Sequence, residues 1–388
     1  MGQEDRKQNV QDLRNLKSFD ISVSRGFLRD PNPVLSLPRE FEALDQIALV
    51  LPELNERGKL RKAVCEFPLI GNVDELEGPE LNRAKMIYHF VQSSYVLAQG
   101  EEPVNIIPKQ IAIPSYKLTK KSGSNKPILK YQDYALSNYR FHTPSKGFKI
   151  ENIETILKFT RSKHENGFIR VHTSIEKNAA PILINIGNTK YNILHKSPVD
   201  VEMNLWKGAR DTLNLVSILP RMWEECDINE YFKTVRPWIQ KFDNIIYEGV
   251  EEFDGKPMSF RGETGAQSSV IPSIDNFLEI KHKENDLTRH LKDMLEYMPK
   301  NHKSFVELCS QGPSVRNYVM ENKDNYPGLK DAFNSFVEAL ACFREGHHRF
   351  QHPYIISKIP GEVLGTGGTP FKNFLGHLII ETRASKVD

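Results

Sequence analysis

Cysteine is scarce in this chain, with four in 388 residues. Cys65, Cys226, Cys309 and Cys342 are too scattered for a CxxC metal site or a disulfide framework, which suits a reducing compartment. No run of about 18 apolar residues occurs, and the polar start MGQEDRKQNV holds no apolar stretch of the kind that directs secretion. Neither export nor a membrane span is therefore supported. Gly2 would suit myristoylation, but Arg6 stands where serine or threonine is wanted. An excess of one charge is missing too: 52 basic and 50 acidic residues leave a formal +2. That balance gives no reason to expect nucleic acid or an anionic membrane as partner. Internal repeats are absent, and low complexity is confined to short polar loops. The expectation is a soluble, cytoplasmic protein whose partner is a small ligand or another protein.

What the chain does have is length and helical periodicity. It can bury a substantial core, in two domains or one large one. Residues 1–20 are polar and read as a disordered N-terminal segment, with order beginning near GFLRDPNPVLSLP. From Ser36 the pattern turns helical: Pro38 suits a first helical position, and Phe41, Leu44, Ile47, Ala48 and Leu51 recur every three or four residues. A second amphipathic stretch runs from about Asn82 to Gln99, with Gly100 placed to cap it. The turn-rich FHTPSKGFKI sets a domain boundary, giving a small helical domain over residues 21–145 and a large one over 146–388. Between Phe168 and Leu194 the β-branched content would also suit strands, but the first part reads as helix. Long helical patterns fill the remainder, so the fold class is mainly α, two-domain and all-helical.

The last long helix carries ACFREGHHRFQHPYI, with three histidines within six positions. Phe333, Phe336, Leu340, Phe343, His347, Phe350 and Tyr354 repeat at steps of three and four and form one apolar stripe. His348 and His352 lie off it as an i, i+4 pair, yet no HExxH glutamate accompanies them, and they read as solvated residues before Pro353. For His347 two readings stand: a core histidine hydrogen-bonded to a neighbour, or the axial ligand of a haem. Arg344, one turn earlier, would then meet a haem propionate or a supporting carboxylate.

The strings YEGVEEFDGKPMSFRGETGAQSSVIPSID, EYMPKNHKSF, GPSVRNYV, CFREGHHRF and GTGGTPFKNFL together resemble the indoleamine 2,3-dioxygenase family. GFLRDPNPVLSLP, LPELNERGKLR and NIIPKQIAIP extend the likeness through the first domain, in order, over nearly the whole chain. The resemblance implies a two-domain helical haem enzyme, with the small domain covering a pocket in the larger haem-binding one. It implies haem b, with His347 as the proximal iron ligand and Arg344 with Asp275 as the ion pair supporting it. Phe168 in ENGFIRVH becomes an aromatic wall against an indole. Tyr231 and Phe232 in NEYFKTVR pack on substrate, and Arg236 binds its carboxylate as a bidentate fork. Tyr131, Tyr134 and Ala135 line the roof of the pocket; Thr264 and Gly265 run close to haem and substrate, where a backbone needs small residues. GTGGT, Gly365 to Thr369, resembles a loop that closes over substrate, Thr366 contributing a contact; no Lys-Ser or Lys-Thr follows, which argues against a phosphate-binding loop.

The chain departs from the family in ways that bear on chemistry. His172 stands where tryptophan-cleaving members carry a serine, and its imidazole suits a hydrogen-bond acceptor for an indole N–H or a base, an arrangement resembling the sister tryptophan 2,3-dioxygenases. Tyr231 replaces a phenylalanine and adds a hydroxyl that wants a partner; Ile169 replaces a second phenylalanine, and Glu263 a glycine. The resemblance implies insertion of both atoms of O2 across the indole C2=C3 bond of L-tryptophan or a related indole, an N-formylkynurenine-type product, and an electron donor that keeps the haem ferrous. The departures keep open a mono-oxygenation of another indole, or a non-catalytic haem- or indole-binding protein.

Overall fold

The computed structural model describes residues 3–358, 365–366 and 374–388. It opens in a helix, α1 (Gln3–Arg14), where the sequence suggested disorder. Val10, Leu13 and Leu16 recur every third residue and are all buried, so the polar composition conceals an apolar stripe. That stripe lies on the helix containing Gly187, where an added Cβ would come within 3.0 Å of the Leu13 carbonyl, and Arg14 stacks 4.0 Å from the centre of the Tyr191 ring.

The spacing after Ser36 becomes α2 (Glu42–Glu56), with Leu44, Ile47, Ala48 and Leu51 buried along one face. α3 (Gly78–Val96) and α4 (Lys109–Lys121) follow. The ambiguous stretch is helical throughout, as α5 (Lys163–Asn178) and α6 (Ala180–Leu194). Its Ile169, Val171, Thr173, Ile175, Ile182 and Ile186 are inward-facing and buried, and that tertiary burial outweighs their β-propensity. The Ser162 hydroxyl accepts from the His164 amide at 3.2 Å and starts α5.

α7 (Pro198–Ile218), α8 (Val270–Leu278) and the 28-residue α9 (Pro327–Tyr354) build the larger part, with α10 (Phe374–Ala384) laid against α9. α7 and α9 approach closely at Gly208, where a Cβ would meet the Phe336 ring at 2.3 Å. Only glycine allows that contact.

Strands are few and short. β1 (Ile106–Ile107) pairs in parallel with β4 (Phe242–Tyr247), which pairs antiparallel with β5 (Met258–Phe260); β2 (Arg140–Phe141) and β3 (Ile153–Glu154) form a separate antiparallel pair. The first of these sheets joins segments from both sides of the expected boundary. Ile107, Ile111 and Tyr116 share one hydrophobic cluster with Trp238, Tyr247 and Phe260, whereas Tyr131, Ala135 and Tyr139 belong to a second cluster with α5, α6, α7 and α9. Residues 226–260 thus pack with the first domain. Among the described residues no helix is long and apolar enough to cross a membrane.

Candidate active site

α9 presents His347. Phe333, Phe336 and Leu340 of its stripe are fully buried, but at His347 the stripe opens and the side chain is exposed. Protein nevertheless surrounds this ring closely enough that desolvation pushes the imidazole down to about 4, and His172 and His348 push the same way. We take this accessible yet desolvated ring to mark one wall of a hollow. No hydrogen bond from a described residue reaches its ring, which disfavours the core-histidine reading. His348 and His352 are exposed on the outer side, and no cluster of metal-ligating side chains is found among the described residues.

One turn back on α9, Arg344 is buried and donates from Nη2 to Asp275 Oδ2 of α8 at 2.5 Å and from Nη1 to Thr382 Oγ1 of α10 at 2.7 Å. His282 joins them, 3.8 Å from Asp275 and 2.9 Å from Glu381. Burial acts to raise the Asp275 carboxyl, but Arg344 and His282 outweigh it and hold the group below its ordinary value. The expected pair is therefore formed, and it bolts three helices together behind His347.

The opposite wall is α5. His172 Nδ1 lies 2.8 Å from the Phe168 carbonyl, and a carbonyl only accepts, so Nδ1 carries the proton. Burial pushes the imidazole below its ordinary value, so the ring is neutral near pH 7 and Nε2 bears a lone pair. Nε2 points at the backbone of Gly265, 3.9 Å from where a Cβ would stand. Phe168 connects the aromatic lining, its ring centre 4.5 Å from His172, 5.0 Å from Tyr231 and 6.3 Å from Tyr134; Tyr131 meets His172 edge-on at 5.8 Å.

Two of these contributors come from π-helical turns, Gln132–Leu136 and Tyr231–Val235. In a π-turn residues five apart share a face, and Tyr231 and Arg236 are five apart. The Arg236 guanidinium hydrogen-bonds the Tyr231 hydroxyl, and both are buried. The added hydroxyl has its partner. Phe232 is half-buried and makes no ring contact among the described residues. Ala135 is buried in the second cluster. Thr264 accepts from the Ala266 amide through its side chain, which starts the short turn on which Gly265 is exposed. Of GTGGT, only Gly365 and Thr366 fall among the described residues; Thr366 donates its hydroxyl to the Glu263 carbonyl at 2.6 Å and is tied to the pocket wall.

Three buried carboxyls surround this wall. Glu165 rises to about 7 and Glu176 to about 7, in each case through burial, which hydrogen bonds only partly offset. Glu176 accepts from Tyr131 at 3.0 Å and Ser268 at 2.5 Å. Glu263 rises to about 8 through burial alone, and acts on Tyr131, Tyr134 and Tyr231. Sequence reading missed Glu176 and Gln267. Gln267 accepts from the Tyr131 amide and donates to the Gly262 carbonyl, both at 2.9 Å, and so locks the Tyr131 turn to the 262–265 segment. Its position inside GETGAQSS was the available signal, but its partner is 136 residues away.

Comparison with known proteins gives the frame for this geometry. A model of the family described as indoleamine 2,3-dioxygenase matches residues 15–362. The chain belongs to the indoleamine 2,3-dioxygenase family. It is 30% identical to the indoleamine 2,3-dioxygenase 1 of Rattus norvegicus and 29% identical to the indoleamine 2,3-dioxygenase 2 of Homo sapiens, in both cases over 93% of each chain. It is also 26% identical to a 6-hydroxytryptophan 2,3-dioxygenase of Fusarium equiseti, over 89% of this chain and 86% of that one. As a family member the protein is an oxidoreductase of the dioxygenase type, and indoleamine 2,3-dioxygenases are haem-dependent. The donor set fits such a group: a neutral imidazole open to a hollow, backed by a buried ion pair, with a second neutral imidazole on the facing helix.

Proposed function

We propose that this enzyme is a haem-dependent dioxygenase that inserts both atoms of O2 across the indole C2=C3 bond of L-tryptophan or a related indole, giving an N-formylkynurenine-type product. The observation that carries it is the pair His347 and His172, imidazoles on two helices near enough for one to act on the other, with the Phe168 ring packed on His172. His347 would hold the iron of haem b through its imidazole, with Arg344 and Asp275 fixing the helix behind it. Bound there, ferrous haem supplies the activation of O2, and an electron donor keeps it ferrous.

The protein's own residues orient the substrate and keep water out. Phe168 and Tyr231 pack on each other with ring centres 5.0 Å apart and together form one aromatic surface against which an indole lies. Arg236, positioned by Tyr231, receives the amino-acid carboxylate as a two-pronged donor. His172 accepts from the indole N–H through Nε2, because the Phe168 carbonyl holds the proton on Nδ1. Tyr131, Tyr134 and Ala135 close the roof, and Thr264, Gly265 and Thr366 complete the rim. The segment over residues 21–145 covers the hollow and that over 146–388 carries it. Relatives named for indoleamine and 6-hydroxytryptophan support an indole as the substrate class.

The test is the mass of the product from purified, haem-loaded, reduced protein given L-tryptophan and ring-substituted tryptophans in air. A gain of two oxygen atoms is expected. A gain of one, or no product from any indole while the haem spectrum stays intact, would overturn the proposal.

A further inference from the structure

A cavity of about 180 Å³ opens between residues 29–34 and the start of α3, and none of the site residues described above lines it. One side of it is charged. Arg29 donates from Nη2 to Asn82 Oδ1 at 3.0 Å and from Nε to Ser137 Oγ at 3.4 Å, both neutral acceptors. Among the described residues no carboxylate comes within ion-pair distance of this guanidinium, and no hydrogen bond engages its Nη1. Asp20 and Asp133 favour its charge from further off, yet burial outweighs them and lowers the group from its ordinary value. The other charges of the lining are already matched. Arg83 lies 2.8 and 2.7 Å from Asp45 through Nε and Nη2, and Asp30 accepts from the Ser22 hydroxyl at 2.7 Å with Arg25 3.7 Å away. Pro31, Pro33, Val34, Pro79 and Met86 make the rest of the wall largely apolar.

We infer that this cavity is a second ligand site, which takes a small monocarboxylate with an apolar body about the size of a benzene ring, its carboxylate on Arg29. The space suffices, since an apolar cavity of about 150 Å³ accommodates benzene. A planar guanidinium with unused N–H groups meets a carboxylate as a two-pronged donor. A dianion such as phosphate fits less well, because only one guanidinium is uncommitted and the Asp30 carboxylate lines the same space.

The charged side is also held in place. Asn82, which accepts from Arg29, donates from Nδ2 to the Gly78 carbonyl at 2.8 Å, so the guanidinium is tied to the start of α3 before anything binds. The site backs on the roof of the hollow: the Arg29 amide donates to the Leu136 carbonyl at 3.4 Å, at the end of the π-turn that carries Tyr134 and Ala135. The inference stands apart from the indole reading, because it uses none of the residues assigned there.

The experiment is a calorimetric titration of benzoate into haem-loaded ferric protein, wild type and Arg236→Ala, so that a carboxylate read by Arg236 is told apart. Binding with a Kd of roughly 1 mM or tighter is expected in both. Benzamide, which lacks the charge, and inorganic phosphate, which lacks the apolar body, should each bind at least ~10-fold more weakly. Arg29→Gln should weaken benzoate by at least ~10-fold, the loss expected for one charge-assisted hydrogen bond. Val34→Trp, which fills the space and leaves Arg29 in place, should abolish binding and remains informative if Arg29→Gln fails to fold; circular dichroism checks the fold of each variant. The inference is overturned if benzoate does not bind at millimolar concentration, if benzamide or phosphate binds as tightly, if folded Arg236→Ala protein loses the binding, or if binding survives both Arg29→Gln and Val34→Trp.

Discussion

The two walls of the hollow are built by opposite means. The proximal wall is a single 28-residue helix whose buried charge is matched at once, Arg344 against Asp275, with Thr382 and His282 completing the set. The distal wall is assembled from four separate segments, around Tyr131, Phe168, Tyr231 and Glu263, two of them π-turns. Its acids Glu176 and Glu263 have no cation beside them among the described residues, and burial raises them to about 7 and about 8. One wall is made to hold a group in a fixed place. The other combines aromatic rings and buried acids with one guanidinium, Arg236, which suits reading the shape and hydrogen bonds of a ring that carries a carboxylate.

That contrast is broken most completely at its proximal end. His347→Ala should abolish the histidine-ligated haem spectrum and reduce turnover to background, whereas distal substitutions should leave haem content intact. Asp275→Ala comes next, because it leaves a buried guanidinium without its carboxylate. A loss of about 3–5 kcal/mol in unfolding free energy is expected, read by denaturant titration of the haem-loaded protein. Arg236→Lys should lower kcat/KM for amino-acid substrates by roughly 10–100-fold, mostly through KM, since a point charge replaces a planar fork. For indoles without a carboxylate the effect should be small.

Distal effects are subtler. His172→Ser should change which indoles are accepted and their rates by about 10-fold or more, as expected for losing one hydrogen bond of 1–2 kcal/mol; unchanged rate and range would remove His172 from the mechanism. The smallest effect is a pH signature. Glu263 has a folded value of about 8 against an ordinary 4.5, so the folded state binds the extra proton. Its contribution is fully present below the unfolded value and is lost as pH rises through about 8. Relative to Glu263→Gln, the wild type should therefore lose up to ~3 kcal/mol of stability between mildly acidic and mildly alkaline pH. Parallel stability curves for the two proteins would count against a buried, unpaired Glu263.

The proximal wall was legible because a regular helix writes its faces in the sequence at 3.6 residues per turn, and the stripe through Phe336, Leu340 and His347 follows that period. Asp275 came through family resemblance alone, since nothing local ties it to Arg344, 69 residues away. The distal wall was legible only in part. Tyr231 and Arg236 were both named, but periodicity could not show that a π-turn puts them on one face. Glu263 was visible as a departure from glycine, yet its surroundings depend on Thr366 and Gln267, whose bonds join distant parts of the chain. The N-terminal helix was missed for a different reason: composition averaged over 20 residues hid a stripe of Val10, Leu13 and Leu16 that only packing reveals.

The most direct test of the account is a spectroscopic comparison of His347→Ala and His172→Ala, each reconstituted with haem, because both imidazoles are neutral and face the same hollow. The account predicts that His347→Ala loses histidine ligation and regains it with added imidazole, while His172→Ala keeps the wild-type axial ligand. Loss of ligation in His172→Ala with retention in His347→Ala would exchange the two walls and contradict the assignment.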